Sequence, residues 1–154
     1  MIQRFLFVCL FLIFSFSCVY DNLEEKSAAA VLVIKTGTVC GWCTKNDTLI
    51  LSDTHVRYVN YTNCSTSKAT VEKTGELTAS ELQTLLNLLD FDELKKLELN
   101  SCNICVDGCD DWISFKNGTQ THYIRFGTND TKLQPIRAFV DQLNVIKAQY
   151  SASH

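Results

Sequence analysis

The sequence has no excess of positive charge and only one long apolar run, and each absence excludes a class of function. Asp and Glu outnumber Lys and Arg by 17 to 14, for a formal net charge of −3 at pH 7. A mildly acidic chain with scattered lysines lacks the basic surface that binds nucleic acid or anionic lipid. Because of this charge pattern we expect no nucleic-acid partner. Beyond the N-terminal run, no apolar stretch approaches the roughly 20 residues of a membrane-spanning helix.

The sequence motifs of common hydrolases are also missing. The chain contains no Gly-x-Ser-x-Gly turn and no His-Glu-x-x-His helix, which would supply a serine nucleophile or two zinc ligands. His55 and His122 lie in predicted strands without such partners. We therefore predict no catalytic residues, no cofactor and no metal, and we predict that the protein is not an enzyme.

The one long apolar run, Phe5 to Tyr20, lies at the N-terminus and predicts a secretory signal peptide. Arg4 precedes the run, and Ser15 and Ser17 stand near its end, which is the arrangement of a leader that is removed during export. A single-pass anchor is the alternative, although the run is short for one. The predicted organisation is a signal peptide over 1–17, a flexible tether over 18–30, one domain over 31–150 and a disordered tail over 151–154.

Export would place the domain in an oxidising compartment, where cysteines form disulfides rather than remaining free thiols. An even set of cysteines follows the leader: Cys40, Cys43, Cys64, Cys102, Cys105 and Cys109. Because very short loops strain disulfide geometry, we expect the three cysteines of segment 102–109 to bridge outward to Cys40, Cys43 and Cys64.

Cys40-Gly41-Trp42-Cys43 has the spacing of a redox dithiol. That chemistry needs a thiolate stabilised at the N-terminus of a helix, whereas residues 44–48 predict a turn into a strand. We therefore favour structural disulfides. A thiol–disulfide oxidoreductase that uses Cys40 and Cys43 is the alternative function.

The pair Cys40 and Cys43, taken with Cys102 and Cys105, has the composition of a four-thiolate zinc site. Zinc ribbons usually separate their two pairs by about 15–20 residues, whereas 58 residues lie between Cys43 and Cys102 here. An oxidising compartment favours disulfides over thiolate ligands, so we assign no zinc to these residues.

Asp107, Asp110 and Asp111 cluster beside Gly108 and raise the question of a calcium site. The spacing does not match an EF-hand loop, because Cys105 occupies an acidic position and no Glu closes the loop. We interpret the cluster as a solvated acidic turn before a strand.

Cys18 provides an alternative to simple secretion. Small residues precede it, as in the lipobox of bacterial lipoproteins whose cysteine is acylated, although Ser15 stands where Leu is usual. A lipid anchor at Cys18 is the only lipid attachment that we predict.

Five Asn-x-Ser/Thr triplets indicate a glycoprotein of a eukaryotic secretory pathway. They also occur in turn-like contexts, where Asn is favoured for backbone reasons alone. The predicted glycosylation sites are Asn46, Asn60, Asn63, Asn117 and Asn129.

The first half of the domain predicts strands followed by a helix. Val31–Thr36, the segments of 48–61 and Lys68–Lys73 have the β-branched or alternating patterns of strands. Thr78-Ala79-Ser80-Glu81 fits a capping box at a helix start. The apolar face that follows either continues or restarts near Asp92; it comprises Leu82, Leu85, Leu86, Leu89, Phe91, Leu94 and Leu97.

The second half repeats this plan. Segments 112–115 and 123–126 flank Asn117-Gly118, a dipeptide that favours a tight hairpin turn, and Pro135 suits the first turn of a helix. The predicted buried face of that helix is Ile136, Phe139, Val140, Leu143 and Ile146. The sequence thus predicts a disulfide-stabilised α+β fold with strands–helix–strands–helix order, in which two helices pack on one face of an antiparallel sheet.

Three short motifs carry a resemblance to a known group of proteins. The turn Cys40-Gly41-Trp42-Cys43, followed by Leu49-Ile50-Leu51-Ser52 and Val56-Arg57-Tyr58, resembles small cysteine-containing secreted or lipoprotein domains of unknown function found in Bacteroidetes. The resemblance covers Thr36 to about Ala148. It implies an exported location and an α+β fold, and it implies no catalytic activity.

These features together predict an exported, extracellular, non-enzymatic binding module of the inhibitor, adhesin or effector type. Its expected partner is another extracellular macromolecule, because loops on a rigid frame are common recognition sites. Aromatic side chains are candidates for an exposed binding face, although most strand aromatics anchor a core; they are Trp42, Trp112, Tyr58, Tyr61 and Tyr123.

Overall fold

The computed structural model describes residues 31–61 and 71–152 and confirms the α+β class. Within these residues one antiparallel sheet has six strands: β1 (Leu32–Cys40), β2 (Asn46–Ser52), β3 (His55–Asn60), β4 (Val71–Glu76), β5 (Cys109–Asn117) and β6 (Gln120–Phe126). The α-helices of this part of the chain are α1 (Ala79–Asn87), α2 (Phe91–Lys96) and α3 (Arg137–Ala152). Short 3-10 segments occur at Gly41–Cys43, Asn103–Val106 and Thr131–Ile136.

Several predictions concern residues outside this description. They are the signal peptide over 1–17, the tether over 18–30, the lipidation site Cys18, the glycosylation site Asn63, Cys64, and the last two residues of the tail. None of the helices within 31–61 and 71–152 combines the length and the hydrophobicity needed to cross a bilayer.

The first strand of the domain lies inside the sheet, whose order is β4-β3-β2-β1-β5-β6. Thus β1 pairs with β2 on one side and with β5 on the other, and Gly37 stands opposite Thr48 and Trp112. Side chains alternate between the two faces with a period of two. The burial of β2 alternates accordingly, with Asp47, Leu49 and Leu51 buried.

The core unites apolar side chains from the sheet and the helices. All five residues predicted for the buried face of the last helix are buried: Ile136, Phe139, Val140, Leu143 and Ile146. They share one cluster with strand residues such as Leu49, Ile113 and Phe126 and with Leu85 of α1. Each such side chain contributes about 1.5–3 kcal/mol by its removal from water. This core fixes the helices against the sheet.

The predicted capping box forms at the start of α1. Glu81 N donates to Thr78 Oγ1 at 3.2 Å, and Thr78 N donates to the Glu81 carboxylate at 2.7 Å. Two hydrogen bonds lower the pKa of Glu81: the larger contribution comes from the Thr78 backbone N–H and the smaller from the Thr78 hydroxyl. Helix α1 ends at Asn87, and α2 begins at Phe91. Asp90 caps α2, since its carboxylate accepts a hydrogen bond from Glu93 N at 3.0 Å. The structure therefore has the restart rather than one continuous helix.

The boundaries of three other elements differ from the prediction. Strand β4 continues to Glu76 through Gly75, which lies against the ring of Tyr150 where a Cβ would not fit. Pro135 lies in the 3-10 segment before α3. Helix α3 runs to Ala152, so Ser151 and Ala152 are helical although the sequence predicts a disordered tail.

The two ends of the sheet differ in their connections. At the end that we call the turn end, β2 joins β3 through Asp53 and Thr54, and β5 joins β6 through Gly118 and Thr119. At the opposite end β1 leads into the turn 41–45, and segment 101–108 leads into β5. We call residues 40–43 and 102–109 the tip.

Candidate functional site

A disulfide between Cys40 and Cys109 joins the base of the tip to the sheet. Cys40 ends β1 and Cys109 begins β5, and the strand register places them directly opposite one another. The two are 69 residues apart in the sequence, and Cys40 is buried. The prediction that Cys109 bridges outward is confirmed.

Cys102 and Cys105 form a second disulfide, within the tip itself. The prediction that these two cysteines bridge outward is wrong. Cys105 N donates to Cys102 O at 3.0 Å in a 3-10 turn, and residues three apart in such a turn lie on the same side of it. Their Cα atoms are 5.3 Å apart, which a disulfide spans readily. A short loop is therefore no obstacle here.

These bridges occupy the thiols of two alternative sites. Cys40 is bonded to Cys109 and not to Cys43, and the proposed four-thiolate zinc set loses Cys40, Cys102 and Cys105 to disulfides. Of Cys43 only the backbone is described, and Cys64 lies outside the described residues. Within the described ranges no group of three or more His, Cys, Asp or Glu side chains is arranged to hold a metal ion.

Gly41 lets the two turns of the tip approach closely. Gly41 N donates to Gly108 O at 2.9 Å, and Cys40 N donates to Lys45 O at 2.9 Å. A Cβ on Gly41 would stand 2.8 Å from the Cα of Asp107. Since the obstacle is backbone, only glycine fits at this contact.

The tip presents two large apolar side chains to solvent. Trp42 is 83% exposed and Val106 is 79% exposed, one on each of the two turns. Trp42 has a φ of 53° and Asp107 a φ of 62°, a left-handed conformation that costs a non-glycine residue about 1–2 kcal/mol. The disulfides and the Gly41–Gly108 hydrogen bond hold these residues in place. Two exposed apolar side chains therefore project from a tip whose backbone is crosslinked.

Asp110 anchors the second turn of the tip to the sheet. Its fully buried carboxylate accepts from Ser101 Oγ, from Asn103 N at 3.1 Å and from Ile104 N at 3.3 Å. Burial opposes ionisation, but these three bonds and the nearby Arg125 outweigh it and lower the pKa of Asp110. An ionised carboxylate thus holds the turn.

The acidic cluster does not converge on a common point. Asp110 and Asp111 are consecutive strand residues and point to opposite faces of the sheet. Asp111 accepts from Thr38 Oγ1 at 2.6 Å and from Thr128 Oγ1 at 3.2 Å. The prediction of a purely solvated acidic turn is therefore wrong for Asp110, which is buried and fully engaged.

A polar cleft of about 620 Å³ lies at the same end of the sheet as the tip. Lys147 of α3 reaches into it, where its Nζ donates to Thr38 Oγ1 at 2.8 Å and lies 3.3 Å from Asp47 Oδ1. The Lys147 and Asp47 side chains are only 9% and 2% exposed. The Cys40–Cys109 bridge also lines the cleft. Its size is within the range of small-ligand pockets.

The charges of the cleft form one connected network. Thr38 N donates to Asp47 Oδ1 at 2.9 Å, and Lys45 Nζ lies 3.7 Å from Asp47 Oδ2. Burial and the negative charge of Asp47 together raise the pKa of the neighbouring Tyr58. Two ammonium groups therefore face two carboxylates, counting Asp111, and a polar ligand can enter by replacing some of these contacts.

Sequence reasoning missed this cleft, although two signals pointed to it. Asp47 falls on the same face of its strand as Leu49 and Leu51. Lys147 follows Ile146 on the buried side of α3. A charged residue in each of two apolar patterns predicts a buried ion pair, because buried charges are normally paired.

The other candidate residues are dispersed. His55 lies 3.2 Å from Glu76 at the surface, and His122 Nε2 lies 3.1 Å from Leu97 O. Among the aromatic candidates Tyr58 is buried, and Trp112 stacks on Tyr123 with ring centres 6.1 Å apart. Of the predicted glycosylation sites, Asn117 and Asn129 are exposed, whereas Asn46 and Asn60 are half-buried.

Comparison with known proteins adds no functional assignment. No protein-family model matches this chain, and the search of curated proteins gives no match. The resemblance to small cysteine-containing domains of Bacteroidetes stays a prediction. The function is therefore argued from the tip and the cleft alone.

Proposed function

We propose that the protein is an exported, disulfide-stabilised, non-enzymatic binding module that recognises another extracellular protein through its tip. The observation that carries this proposal is the exposure of Trp42 and Val106 on two turns that are fixed by disulfides. Tryptophan is among the residues that contribute most to protein–protein affinity. Leaving it exposed in a fixed conformation is costly for a protein that does not use it.

Rigidity supports the same conclusion. A binding loop that is ordered before contact avoids most of the entropy cost of ordering on binding. In the tip this order comes from the Cys40–Cys109 bridge, from the close approach at Gly41 and from the anchor at Asp110. The backbone of Trp42, which is left-handed, follows directly on Gly41.

Export is part of the proposal. The two disulfides are compatible with an oxidising compartment, where such bridges persist. The leader over 1–17 predicts secretion, and a lipid anchor at Cys18 is the alternative form of attachment. Glycosylation is proposed first for Asn117 and Asn129, because these side chains are exposed.

The proposal also includes the predicted packing of helices on one face of the sheet. Its support is that Lys147 of α3 contacts Thr38 and Asp47, while Leu82 of α1 lines a small pocket with Leu51. Asp47 and Leu51 point to the same side of β2.

The test is a capture experiment with the secreted chain immobilised and the extracellular proteins of its source offered as partners. The wild type is compared with Trp42→Ala and Val106→Ser, both at exposed positions where we expect little change in stability. Val145→Ala on α3 is the matched control, since Val145 is 51% exposed outside the tip.

The expected result is a protein that binds the wild type and Val145→Ala and is lost from both tip variants. Calorimetry with the purified partner should then show a loss of at least about 2 kcal/mol for Trp42→Ala, as for a binding hot spot. Equal capture by all four proteins would refute a role for the tip.

A further inference from the structure

We propose that Cys102–Cys105 is a thiol–disulfide exchange site, at which an external thiol reduces the bridge while the protein keeps its fold. This inference goes beyond the binding module proposed above, because it assigns a reaction to one bridge. It also differs from the predicted oxidoreductase, which would use Cys40 and Cys43. The substrate class is a low-molecular-weight thiol or the dithiol of another protein.

Accessibility distinguishes this bridge from the other one. Both Cys102 and Cys105 are exposed, on a turn that projects from the sheet. Exchange requires a thiolate to reach one of the two sulfurs. In the other bridge Cys109 is exposed, but Cys40 is only 6% exposed and lies within paired strands, so a thiolate can approach that bridge only from the Cys109 side.

The turn that carries the bridge has its own non-covalent support. Asp110 accepts hydrogen bonds from Ser101 Oγ and from the backbone N–H groups of Asn103 and Ile104. Gly108 N also donates to Asn103 O at 2.8 Å. None of these contacts involves sulfur. Reduction of the bridge therefore leaves the connections between the turn and the sheet intact.

Loop length points in the same direction. A disulfide stabilises a fold mainly by restricting the unfolded chain, and it does so more for longer loops. Cys102 and Cys105 are 3 residues apart, whereas Cys40 and Cys109 are 69 apart. We therefore expect the stability of the fold to depend little on the Cys102–Cys105 bridge and strongly on the Cys40–Cys109 bridge.

The reaction balances as two successive exchanges. A thiolate attacks one sulfur of the Cys102–Cys105 bond, forms a mixed disulfide, and displaces the other sulfur as a thiolate that takes up a proton. A second thiol attacks the mixed disulfide and releases the second cysteine. The protein bridge gains two electrons and two protons, and the two external thiols are oxidised to one disulfide.

Exchange at this position also changes the covalent state of the turn that presents Val106. Reduction would remove the covalent bond within that turn while its hydrogen bonds to Asp110 remain, and we expect binding through the tip to weaken. This consequence rests on the proposed function, whereas the exchange itself does not. The two are separated by measuring thiol labelling and partner binding independently.

The experiment titrates the secreted protein, without denaturant, with dithiothreitol and traps free thiols with N-ethylmaleimide. Peptide mass mapping then gives the labelled fraction of each cysteine. We expect Cys102 and Cys105 to be labelled at a dithiothreitol concentration at least about tenfold lower than Cys40 and Cys109, as accessible bridges are the labile ones. Circular dichroism should remain unchanged across that first step.

Cys102→Ser/Cys105→Ser is the control variant. It should fold with the spectrum of the wild type and lose the labelling step at low reductant. Earlier labelling of Cys40 and Cys109 would overturn the proposal. This is the main competing outcome, because their Cα atoms are 4.0 Å apart, closer than in most disulfides. Simultaneous labelling of all four with loss of the spectrum, or failure of the variant to fold, would overturn it as well.

Discussion

The turn end and the tip end close the same sheet by different means. At the turn end the two hairpins reverse through left-handed residues, with a φ of 52° at Asp53 and 59° at Gly118. At the tip end the contacts join residues that are distant in the sequence: Cys40 with Cys109, and Asp47 with Lys147. The turn end needs only suitable turn residues. The tip end needs covalent and charged contacts that the core does not require.

This difference is one reason why we place the proposed binding site at the tip end. Buried ion pairs contribute little net stability, because desolvation offsets their attraction. An exposed Trp42 adds nothing to the core. The buried ion pair and the exposed Trp42 add little net stability and both lie at the tip end, which is the pattern expected when that end binds a ligand or a partner.

The largest expected effect comes from removing the long-range bridge at the tip end. Replacing Cys40 and Cys109 with Ala should lower the free energy of unfolding by about 4 kcal/mol, because the bridge closes a loop of roughly 70 residues. The thermal midpoint should fall by roughly 15 °C, measured by circular dichroism. Equal losses in the Cys102→Ser/Cys105→Ser variant would contradict the assigned difference between the bridges.

The next effect concerns the buried ion pair. Lys147→Met keeps the apolar stem but leaves Asp47 with the Thr38 N–H and the more distant Lys45, so we expect a loss of about 2–3 kcal/mol in urea unfolding. Lys45→Met is the matched control on the same carboxylate. Lys45 is 52% exposed and 3.7 Å away, and surface pairs contribute at most about 1 kcal/mol. A larger loss from Lys45→Met would reverse the interpretation of the network.

A smaller and pH-dependent effect is expected at Asp110. Its pKa is lowered in the folded protein, so its ionisation contributes stability above the pKa of the unfolded chain, near 4. That contribution is lost as the pH falls through the folded pKa. Asp110→Asn should cost about 1–2 kcal/mol at pH 7 and progressively less as the pH falls below the pKa of the unfolded chain. A difference that stays constant with pH would show that the negative charge is not what holds the turn.

The smallest effect is expected at the turn end. Gly118 has a φ of 59°, so Gly118→Ala should cost about 1 kcal/mol of local strain and leave partner binding unchanged. Thr119→Ser, at the next exposed position, should remain within about 0.5 kcal/mol of the wild type. Loss of binding in Gly118→Ala would show that the two ends are coupled.

The sequence predicted the parts of the fold that depend on local patterns. The capping box at Thr78 and Glu81 requires only residues three apart, and the buried face of α3 follows from helical spacing. The α+β class follows from the same patterns.

Contacts that depend on tertiary packing could not be predicted from local sequence patterns. The Cys102–Cys105 bridge depends on a 3-10 turn that has no strong residue signature, and the position of Lys147 beside Thr38 depends on how α3 crosses the sheet. The sequence named Trp42 as a candidate for an exposed face but could not decide between that position and the core, because a tryptophan between two cysteines fits either. Its left-handed backbone follows directly after Gly41, at the close approach to Asp107.

The interior position of β1 has a consequence for biogenesis. A chain that is threaded through a translocon from its N-terminus delivers β1 first, but the strand that covers one of its edges, β5, follows about 70 residues later. Cys40 therefore meets Cys43 and Cys64 before Cys109 has emerged. In a chain exported as proposed, bridges from Cys40 to these early thiols compete with the native one, so we expect the yield of secreted protein to rise with the supply of disulfide isomerase.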